Sequence, residues 1–221
     1  FRRLNKLPGR VVEISGEPRH ISLRRGSIIV SDKETEIGQI DLDNVLSVII
    51  TSRGASFTSS LIIEAAERNI PFIICNERFY PVSVITPLIH HNEQQVRYEA
   101  QATAKTGLKN KFWQWIVINK VKNQYGLLKI HQSNSSERLN RLSGDVKPGD
   151  PGNIEAQAAQ VYWPALFGKE FRRDRHSEGI NSLLNYGYTI IRSSMLRAIL
   201  ASGLHPNFGV FHKNKKNAVC L

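Results

Sequence analysis

Cysteine is scarce in this sequence, in which Cys75 and Cys220 are the two cysteines among 221 residues. Cys75 ends the apolar run 70–75, where a buried small side chain is the simplest interpretation. Two cysteines exclude a disulfide-dense scaffold and a metal site built from several thiolates. The scarcity therefore indicates a reducing compartment, and we expect a cytoplasmic protein.

Long apolar runs are also missing, because no stretch approaches the roughly 20 residues that a membrane-spanning helix needs. The printed chain begins Phe1-Arg2-Arg3, without Met and without an apolar signal segment, which predicts no secretion. Apolar residues still make up 41% of the chain, enough for real hydrophobic cores. We expect no membrane partner.

Acidic residues are depleted in the second half of the sequence only. Residues 1–90 carry 11 Lys and Arg against 10 Asp and Glu, whereas residues 91–221 carry 19 against 9. Nearly all of the formal net charge of +11 therefore lies in the second half. A polyanion that binds there gains free energy by counterion release, so nucleic acid is the favoured partner. A surplus of charge for solubility is the alternative, but it would usually be spread over both halves.

The first half has the pattern of short strands. Alternating apolar and polar residues predict strands at 11–15, 20–24, 27–30, 35–41 and 45–50, with further strands at 70–75 and 81–85. Thr58 is expected to cap one helix, whose inner face would carry Leu61, Ile62, Ala65 and Ala66. This spacing predicts a small antiparallel β-sandwich or meander. We find no catalytic constellation here and expect a scaffolding or dimerising role.

A domain boundary is predicted at the segment 86–92, after which the apolar pattern becomes helical. His90, His91 and Glu93 would suit a metal cluster, but adjacent histidines diverge on a strand or a helix, so a linker and helix start are favoured. The fold class is therefore α+β. It comprises a β-sandwich-like domain at 1–86, followed by an all-helical domain at 87–221 that contains the basic surplus and is expected to bind nucleic acid.

The helical half contains several predicted helices and one predicted loop. One apolar face is predicted to comprise Leu108, Phe112, Trp115 and Ile116. Residues 133–152 are expected to form a surface loop around a short helical piece at 137–142. A helix over 181–202 is predicted to pack through Leu183, Gly187, Ile190, Ser194 and Ala201, with Gly203 as its left-handed cap.

A further helix over 153–168 places one acidic residue in a tight first turn. The preceding segment 147–152 contains two prolines and two glycines and cannot continue a helix. Asn153 is the expected N-cap, and Ile154, Ala158, Val161 and Ala165 recur at the spacing of a core-facing stripe. Glu155 would then lie where the helix dipole favours a negative charge. For a lone glutamate, a solvent-facing position is the ordinary alternative.

Two groups of basic residues lie after this helix. Arg172, Arg173 and Arg175 are three arginines in four residues and suit a clamp on phosphate, although a solvated charge run is the alternative. Lys213, Lys215 and Lys216 begin a basic tail near the end of the printed chain. We expect both groups to bind the phosphate backbone of a nucleic acid.

The residues from Glu155 onward form an ordered series of motifs. Its members are Glu155-x-x-Ala158-Ala159-x-x-Tyr162-Trp163-x-x-Leu166-Phe167-Gly168, Asn181, Asn185-Tyr186-Gly187-Tyr188 and Gly203-Leu204-His205-Pro206-x-x-Gly209-x-x-His212. This series resembles the CRISPR-associated integrase family, the universal DNA-integrating subunit of CRISPR adaptation, and is most similar to that of type II systems. The resemblance is specific in the second half and architectural in the first.

The resemblance implies a divalent metal, Mg²⁺ or Mn²⁺, held by a glutamate, a histidine and a later acidic residue. Glu155 matches the glutamate and His212 the histidine, while His205 matches a separate position. No Asp or Glu occurs between His212 and Leu221, so we expect the third ligand after Leu221 and interpret the C-terminal end as incomplete.

The resemblance also implies partners and a setting. These are a homodimer built mainly through the first domain, the second and smaller adaptation subunit, other proteins of type II systems, and a prokaryotic cytoplasm. The DNA partners implied are the incoming spacer and the CRISPR repeat, both double-stranded.

The reaction implied is phosphodiester transesterification, in which the 3′-hydroxyl of incoming DNA attacks a phosphodiester of the CRISPR array. A non-catalytic DNA-binding dimer would explain the basic half, but not Glu155 and His212 in their motifs. A metal-dependent endonuclease that only hydrolyses DNA is the third hypothesis. The reaction products distinguish the three, because they are joined strands, cut strands or neither.

Overall fold

The computed structural model describes residues 9–211, which contain eight strands and six α-helices. The strands are β1 (Arg10–Ile14), β2 (His20–Arg24), β3 (Ser27–Asp32), β4 (Thr35–Asp41), β5 (Val45–Ile50), β6 (Ser56–Phe57), β7 (Phe72–Cys75) and β8 (Pro81–Ile85). The helices are α1 (Ser59–Glu67), α2 (Gln94–Ala102), α3 (Thr106–Ile130), α4 (Ser136–Gly144), α5 (Ile154–Phe167) and α6 (Ile180–Ala201). The predicted α+β class, strand-rich first and helical second, is confirmed. None of the described helices combines the length and apolar character that crossing a bilayer requires.

The described residues divide into two compact units. The first unit comprises residues 9–98 and 175–206, and the second comprises residues 99–174 and 207–211. This division differs from the boundary predicted after residue 86, because α6 belongs with the strands and not with the other helices. Helix α6 packs on β5 and β1, so a helix that is distant in sequence becomes part of the first unit.

The strands of the first unit form two four-stranded sheets, with the orders β1-β5-β7-β8 and β4-β3-β2-β6. In the first sheet β5 pairs in parallel with both β1 and β7, and in the second sheet β6 pairs in parallel with β2. The prediction of a purely antiparallel arrangement is therefore wrong. Parallel neighbours need a crossover connection, and α1 lies within the one that joins β5 to β7.

One hydrophobic core serves both sheets and α1. Its buried members include Val12, Ile14, Ile21, Ile28, Val45, Val48, Ile50, Leu61, Ala65 and Phe72. The start of α1 is as predicted, since the Thr58 hydroxyl accepts a hydrogen bond from the Leu61 amide at 3.4 Å. The cap and the apolar face of α1 together place this short helix against the core.

Helix α6 buries a largely polar face. Its buried residues are Asn181, Asn185, Thr189, Ser193, Leu196 and Leu200. The predicted packing through Leu183 is wrong, because that side chain is 72% exposed. Side-chain hydrogen bonds satisfy the buried polar groups: the Ser47 and Ser193 hydroxyls lie 2.9 Å apart, and Arg197 donates to the Val45 carbonyl at 2.7 Å. The left-handed conformation predicted for Gly203 is confirmed, with φ at 66°.

Helices α3, α4 and α5 enclose the core of the second unit, in which α3 contributes Trp113, Val117, Val121 and Leu128. The predicted face of α3 is wrong in its main part, because Leu108, Phe112 and Trp115 are 64%, 49% and 60% exposed. Apolar residues follow one another closely in this helix, so its sequence offers two candidate faces. Contact with α4 and α5 decides between them.

The segment before α5 is packed, which contradicts the surface loop predicted for 133–152. Helix α4 occupies Ser136–Gly144 and includes the short helical piece predicted within this loop. Leu139 and Val146 are buried in the core of the second unit. The Ser, Asn, Gly and Pro residues around α4 form tight turns and do not indicate a loosely held loop.

Candidate functional site

Glu155 lies in the first turn of α5, which begins in an unexpected way. The Asp150 carboxylate accepts hydrogen bonds from the Ile154 amide at 2.8 Å and the Glu155 amide at 3.0 Å. Asn153 occupies the predicted N-cap position, but the predicted hydrogen bond from its side chain is not made, and its backbone is left-handed at φ 50°. Gly149 and Asp150 also have positive φ, and the resulting turn places the Asp150 carboxylate at the helix start. A carboxylate there accepts two backbone N–H groups and complements the helix dipole.

The Glu155 carboxylate is bound to a lysine of a neighbouring helix. Lys120, on α3, donates from Nζ to Oε1 of Glu155 at 2.5 Å. The side chains are 47% and 31% exposed, respectively, so both are reachable from solvent. Glu155 is part of a specific contact between two helices.

The hydrophobic core of the second unit holds the backbones of this pair. Val117 and Val121 flank Lys120 along α3 and are fully buried. Ile154 and Ala158 flank Glu155 on α5 and belong to the same core, which confirms the predicted packing face of α5. Glu155 therefore extends from a backbone that is fixed by apolar packing below it and by Asp150 at its amide.

A divalent cation would find one suitable ligand in the described part of this site. Glu155 fits such a role, since its carboxylate is reachable and already accepts a cationic group. No group of three or more His, Cys, Asp and Glu that could hold a metal occurs within residues 9–211. His212, the predicted second ligand, lies outside the described residues, as do Lys213, Lys215 and Lys216.

The other histidines singled out in the sequence have partners of a different kind. The His90 Nε2 lies 2.8 Å from the Tyr98 hydroxyl, and the His205 ring makes an edge-to-face contact with Tyr98 at 4.9 Å between centroids. The His91 Nδ1 accepts from the Glu93 amide, while the Glu93 carboxylate pairs with Arg97 and has its pKa lowered by that contact. The predicted helix start is confirmed, because α2 begins at Gln94.

The predicted arginine clamp is divided between the two units. The Arg172 guanidinium donates to the carbonyl oxygens of Lys169 and Phe171 at 2.8 and 3.0 Å. Arg173 lies beside it in the second unit, whereas Arg175 belongs to the first unit. The Arg175 carbonyl accepts a hydrogen bond from the Asn185 amide group at 3.0 Å.

The aromatic motif on α6 connects that helix to the first sheet. The Tyr186 hydroxyl donates to Oε2 of Glu13 at 2.5 Å, and Thr51 donates to Oε1 of the same carboxylate at 2.9 Å. The hydrogen bond to Glu13, followed by burial, raises the pKa of Tyr186. The Tyr186 ring also packs edge-to-face on Phe79. Tyr186 therefore holds α6 on the strands of its own unit.

Two residues beside Glu155, Asp150 and Lys120, were not predicted from the sequence. Asp150 carried a signal, because Asp favours helix N-caps and turns and precedes a proline here. Lys120 carried no signal, since it is one of several lysines on a long helix and meets Glu155 only through the packing of α3 against α5.

A family model for the CRISPR associated protein Cas1 matches residues 12–221. The chain is similar to the CRISPR-associated endonuclease Cas1 of Neisseria meningitidis serogroup C, with 31% identity over 198 residues. That alignment covers 89% of this chain and 64% of the Neisseria protein, so the chain spans less than two thirds of that relative. A Cas1 of Francisella tularensis subsp. novicida is 27% identical over 227 residues, covering 91% of this chain and 69% of the relative.

Several solved structures share this fold. A chain of a Cas6-RT-Cas1–Cas2 complex matches with a TM-score of 0.73 and 18% identity, covering 94% of this chain and 25% of that chain. A Cas1 protein from Thermotoga maritima matches with a TM-score of 0.71 and 16% identity, covering 92% and 68%. A casposase bound to an integration product matches with a TM-score of 0.69 and 18% identity, covering 92% and 65%. At these identities the similarity concerns the fold.

Proposed function

Because the chain belongs to the CRISPR-associated Cas1 family, we propose that it is the metal-dependent integrase that inserts new spacer DNA into a CRISPR array. The 3′-hydroxyl of the incoming DNA attacks a phosphodiester of the array, so one phosphodiester bond forms as another breaks. Neither a covalent protein intermediate nor ATP is needed. The observation that carries the proposal is Glu155, which Asp150 and the core of the second unit hold in the first turn of α5.

The names and folds of similar proteins support this reaction class. The Neisseria and Francisella relatives are named CRISPR-associated endonucleases, and the casposase of similar fold was solved with an integration product. Endonuclease and integrase chemistry both break a phosphodiester, and they differ in whether water or a 3′-hydroxyl attacks. The order of motifs in the second half favours the integrase.

Glu155 and His212 are the residues that we propose to hold Mg²⁺ or Mn²⁺, with an acidic residue after Leu221 as a third ligand. When bound, such an ion polarises the target phosphate and stabilises the charge that develops on the leaving oxygen. Asp150 keeps the first turn of α5 in place, and so keeps the Glu155 carboxylate in a constant position relative to α3. An imidazole ligand in a carboxylate site leans slightly towards Mn²⁺.

The basic residues are proposed to bind the DNA backbone without reading its bases. They are Arg172, Arg173, Arg175, Lys213, Lys215 and Lys216. Contacts with phosphate position a duplex but carry little sequence information. The choice of insertion site would then depend on partners and on the bending of the repeat.

The proposed assembly is a homodimer that binds the smaller adaptation subunit and double-stranded DNA. The match to a chain of a Cas6-RT-Cas1–Cas2 complex supports the second partner, because that assembly contains Cas2. Further proteins of type II systems are proposed partners on the basis of the motif resemblance alone.

The decisive experiment is strand joining by the full-length protein with variants of the two proposed ligands. A labelled DNA with a free 3′-hydroxyl is incubated with a repeat-containing duplex and Mn²⁺ or Mg²⁺, and joined and cut strands are separated. We expect Glu155→Ala and His212→Ala to lower joining by at least about 100-fold, since even changes around metal ligands cost 10–100-fold. Glu137→Ala is the matched control, because Glu137 also lies in the first turn of a helix of the second unit.

The products also decide between the competing hypotheses. Cut strands without joined strands would identify a hydrolytic endonuclease, and DNA binding without either product would identify a non-catalytic binding protein. Near-normal joining by Glu155→Ala or His212→Ala would show that the site is assigned wrongly.

The salt dependence of DNA binding tests the arginine clamp. Neutralising Arg172, Arg173 and Arg175 together should weaken duplex binding and lower the slope of log affinity against log salt by about 0.9 for each phosphate that the variant no longer neutralises. The matched control neutralises Arg19, Arg24 and Arg25 in the first unit. An unchanged slope in the clamp variant would identify that cluster as a solvated charge run.

A further inference from the structure

The contact between Lys120 and Glu155 places a lysine at the carboxylate that the proposed function needs for a metal ion. The ammonium nitrogen and Oε1 lie 2.5 Å apart, so the positive charge of the lysine occupies a coordination position of this carboxylate. A carboxylate oxygen that binds an ammonium group this closely does not at the same time ligate a divalent cation on the same side. The contact therefore has consequences for metal binding.

The position of Lys120 follows from the packing of the second unit. Its helix is anchored at Val117 and Val121 on either side, and the start of α5 is anchored at Ile154 and at the amide of Glu155. Two flexible side chains thus extend from two fixed backbones. Lys122, two residues further along α3, is exposed and forms no ion pair within residues 9–211, whereas Lys120 pairs with Glu155.

The ion pair between Lys120 and Glu155 is weak enough for another cation to replace the ammonium group. Both side chains are partly exposed, and ion pairs of this kind contribute little to stability because water and salt screen them. Such a pair orients the Glu155 side chain, but a cation that binds the carboxylate more strongly displaces the ammonium group. A carboxylate oxygen binds a hard divalent cation more strongly than it binds a lysine ammonium group.

We propose that Lys120 competes with the divalent cation for Glu155 and, once displaced, binds a phosphate oxygen of the DNA. Lys120 has to leave Oε1 before Glu155 can ligate a cation, since two positive charges at one oxygen repel each other. Its long stem and three donors allow the ammonium to turn to a phosphate beside the same carboxylate. Lys120 is thus a positioning residue for the substrate phosphate. This inference rests on the proposed function.

The first test measures Mn²⁺ binding to the full-length protein without DNA, by electron paramagnetic resonance titration. Lys120→Met removes the competing ammonium group and should tighten Mn²⁺ binding by about two- to fivefold, as expected for a partly exposed ion pair. Lys122→Met is the matched control, since it removes one positive charge from the same helix without touching Glu155. Lys120→Arg, which keeps the charge, should bind Mn²⁺ as the wild type does.

The second test asks whether Lys120 binds a DNA phosphate once the cation has displaced it from Glu155. The salt dependence of DNA binding is measured with DNA that lacks its 3′-hydroxyl, so that no joining occurs. With Mn²⁺ present, Lys120→Met should lower the salt slope by about 0.9, the value for one neutralised phosphate. With EDTA present, Lys120 remains on Glu155, and the same substitution should leave the slope unchanged. Each protein is thereby its own control.

The outcomes separate this inference from the proposed function. If Lys120→Met binds Mn²⁺ no more tightly than Lys122→Met, or lowers the salt slope equally in Mn²⁺ and EDTA, the role of Lys120 is refuted. The proposed function would still stand, provided that Glu155→Gln loses Mn²⁺ binding and strand joining. If Glu155→Gln retains both, the proposed function itself fails. Lys120→Gln carries the same tests if Lys120→Met does not fold, as judged by circular dichroism.

Discussion

Asp150 provides a direct test of how the start of α5 is held. Its carboxylate accepts hydrogen bonds from two backbone amides, at 2.8 and 3.0 Å, and the residue is buried. A buried amide that loses its acceptor also loses the compensation for its desolvation. Replacing Asp150 should therefore destabilise the second unit and release the first turn that carries Glu155.

The choice of substitution matters because Asp150 has a positive φ of 46°. Alanine would add backbone strain to the loss of the cap, whereas glycine adopts this conformation freely. Asp150→Gly therefore isolates the hydrogen bonds. Bonds to a charged group contribute about 1.5–3 kcal/mol each and loss of an N-cap costs about 0.5–2 kcal/mol, so we expect a loss of about 2–4 kcal/mol. Asp150→Asn keeps one acceptor oxygen and tolerates the positive φ, and should lose about half as much.

Urea unfolding followed by tryptophan emission is the suitable assay. The three tryptophans, Trp113, Trp115 and Trp163, all lie in the second unit, so their emission reports on the unit that contains Asp150. At a slope of about 2 kcal/mol per molar urea, Asp150→Gly should lower the midpoint by about 1–2 M. The control is Asp145→Gly, at an exposed position with φ of −90° at the end of α4. A change below about 0.5 kcal/mol for Asp150→Gly would refute the capping role.

Two further predictions concern the first unit. Gly203→Ala should destabilise the protein by about 1–3 kcal/mol, because φ is 66° and a Cβ would lie 2.8 Å from the His91 ring. Gly187→Ala, in open space on α6, should instead stabilise the protein by about 0.5–1 kcal/mol. Thermal unfolding measures both changes, and equal effects of the two substitutions would contradict the backbone strain at Gly203. Burial, followed by the charge of Glu13, raises the pKa of Cys75 from 9.0 to about 11, so at pH 8 its thiolate fraction is about 100-fold lower than that of an ordinary thiol. Ellman's reagent should therefore react about 100-fold more slowly with Cys75 in a Cys220→Ser variant than with glutathione, and comparable rates would contradict this burial.

Most elements of the first unit could be predicted from local sequence patterns. The predicted strands 20–24, 35–41, 45–50 and 81–85 have the same bounds in the structure, and Thr58 caps α1 as expected. Alternation of apolar residues and capping preferences are local properties, so neighbouring residues are enough to reveal them. The motifs from Glu155 onward carried the resemblance to the family for a related reason, since each is a short pattern of neighbouring residues.

The way in which these elements pack together could not be predicted in this way. The inward faces of α3 and α6 were predicted incorrectly, because a helix with apolar residues on several sides has no unique inner face until its neighbours are known. On α6 the inward face is polar. Its side chains hydrogen-bond to the Ser47 hydroxyl and to the carbonyl oxygens of Val45 and Phe79, which lie in strands or turns more than 100 residues earlier in the chain.

The surroundings of Glu155 follow the same rule. Its place in the first turn of a helix was evident from the sequence, but Asp150 reaches its amide through a turn with two successive positive φ values. Lys120 reaches its carboxylate across 35 residues, through the packing of α3 against α5. A local pattern specifies which residue begins a helix. Which cation lies against that residue depends on contacts between distant parts of the chain, and these form only when the core of the second unit is assembled.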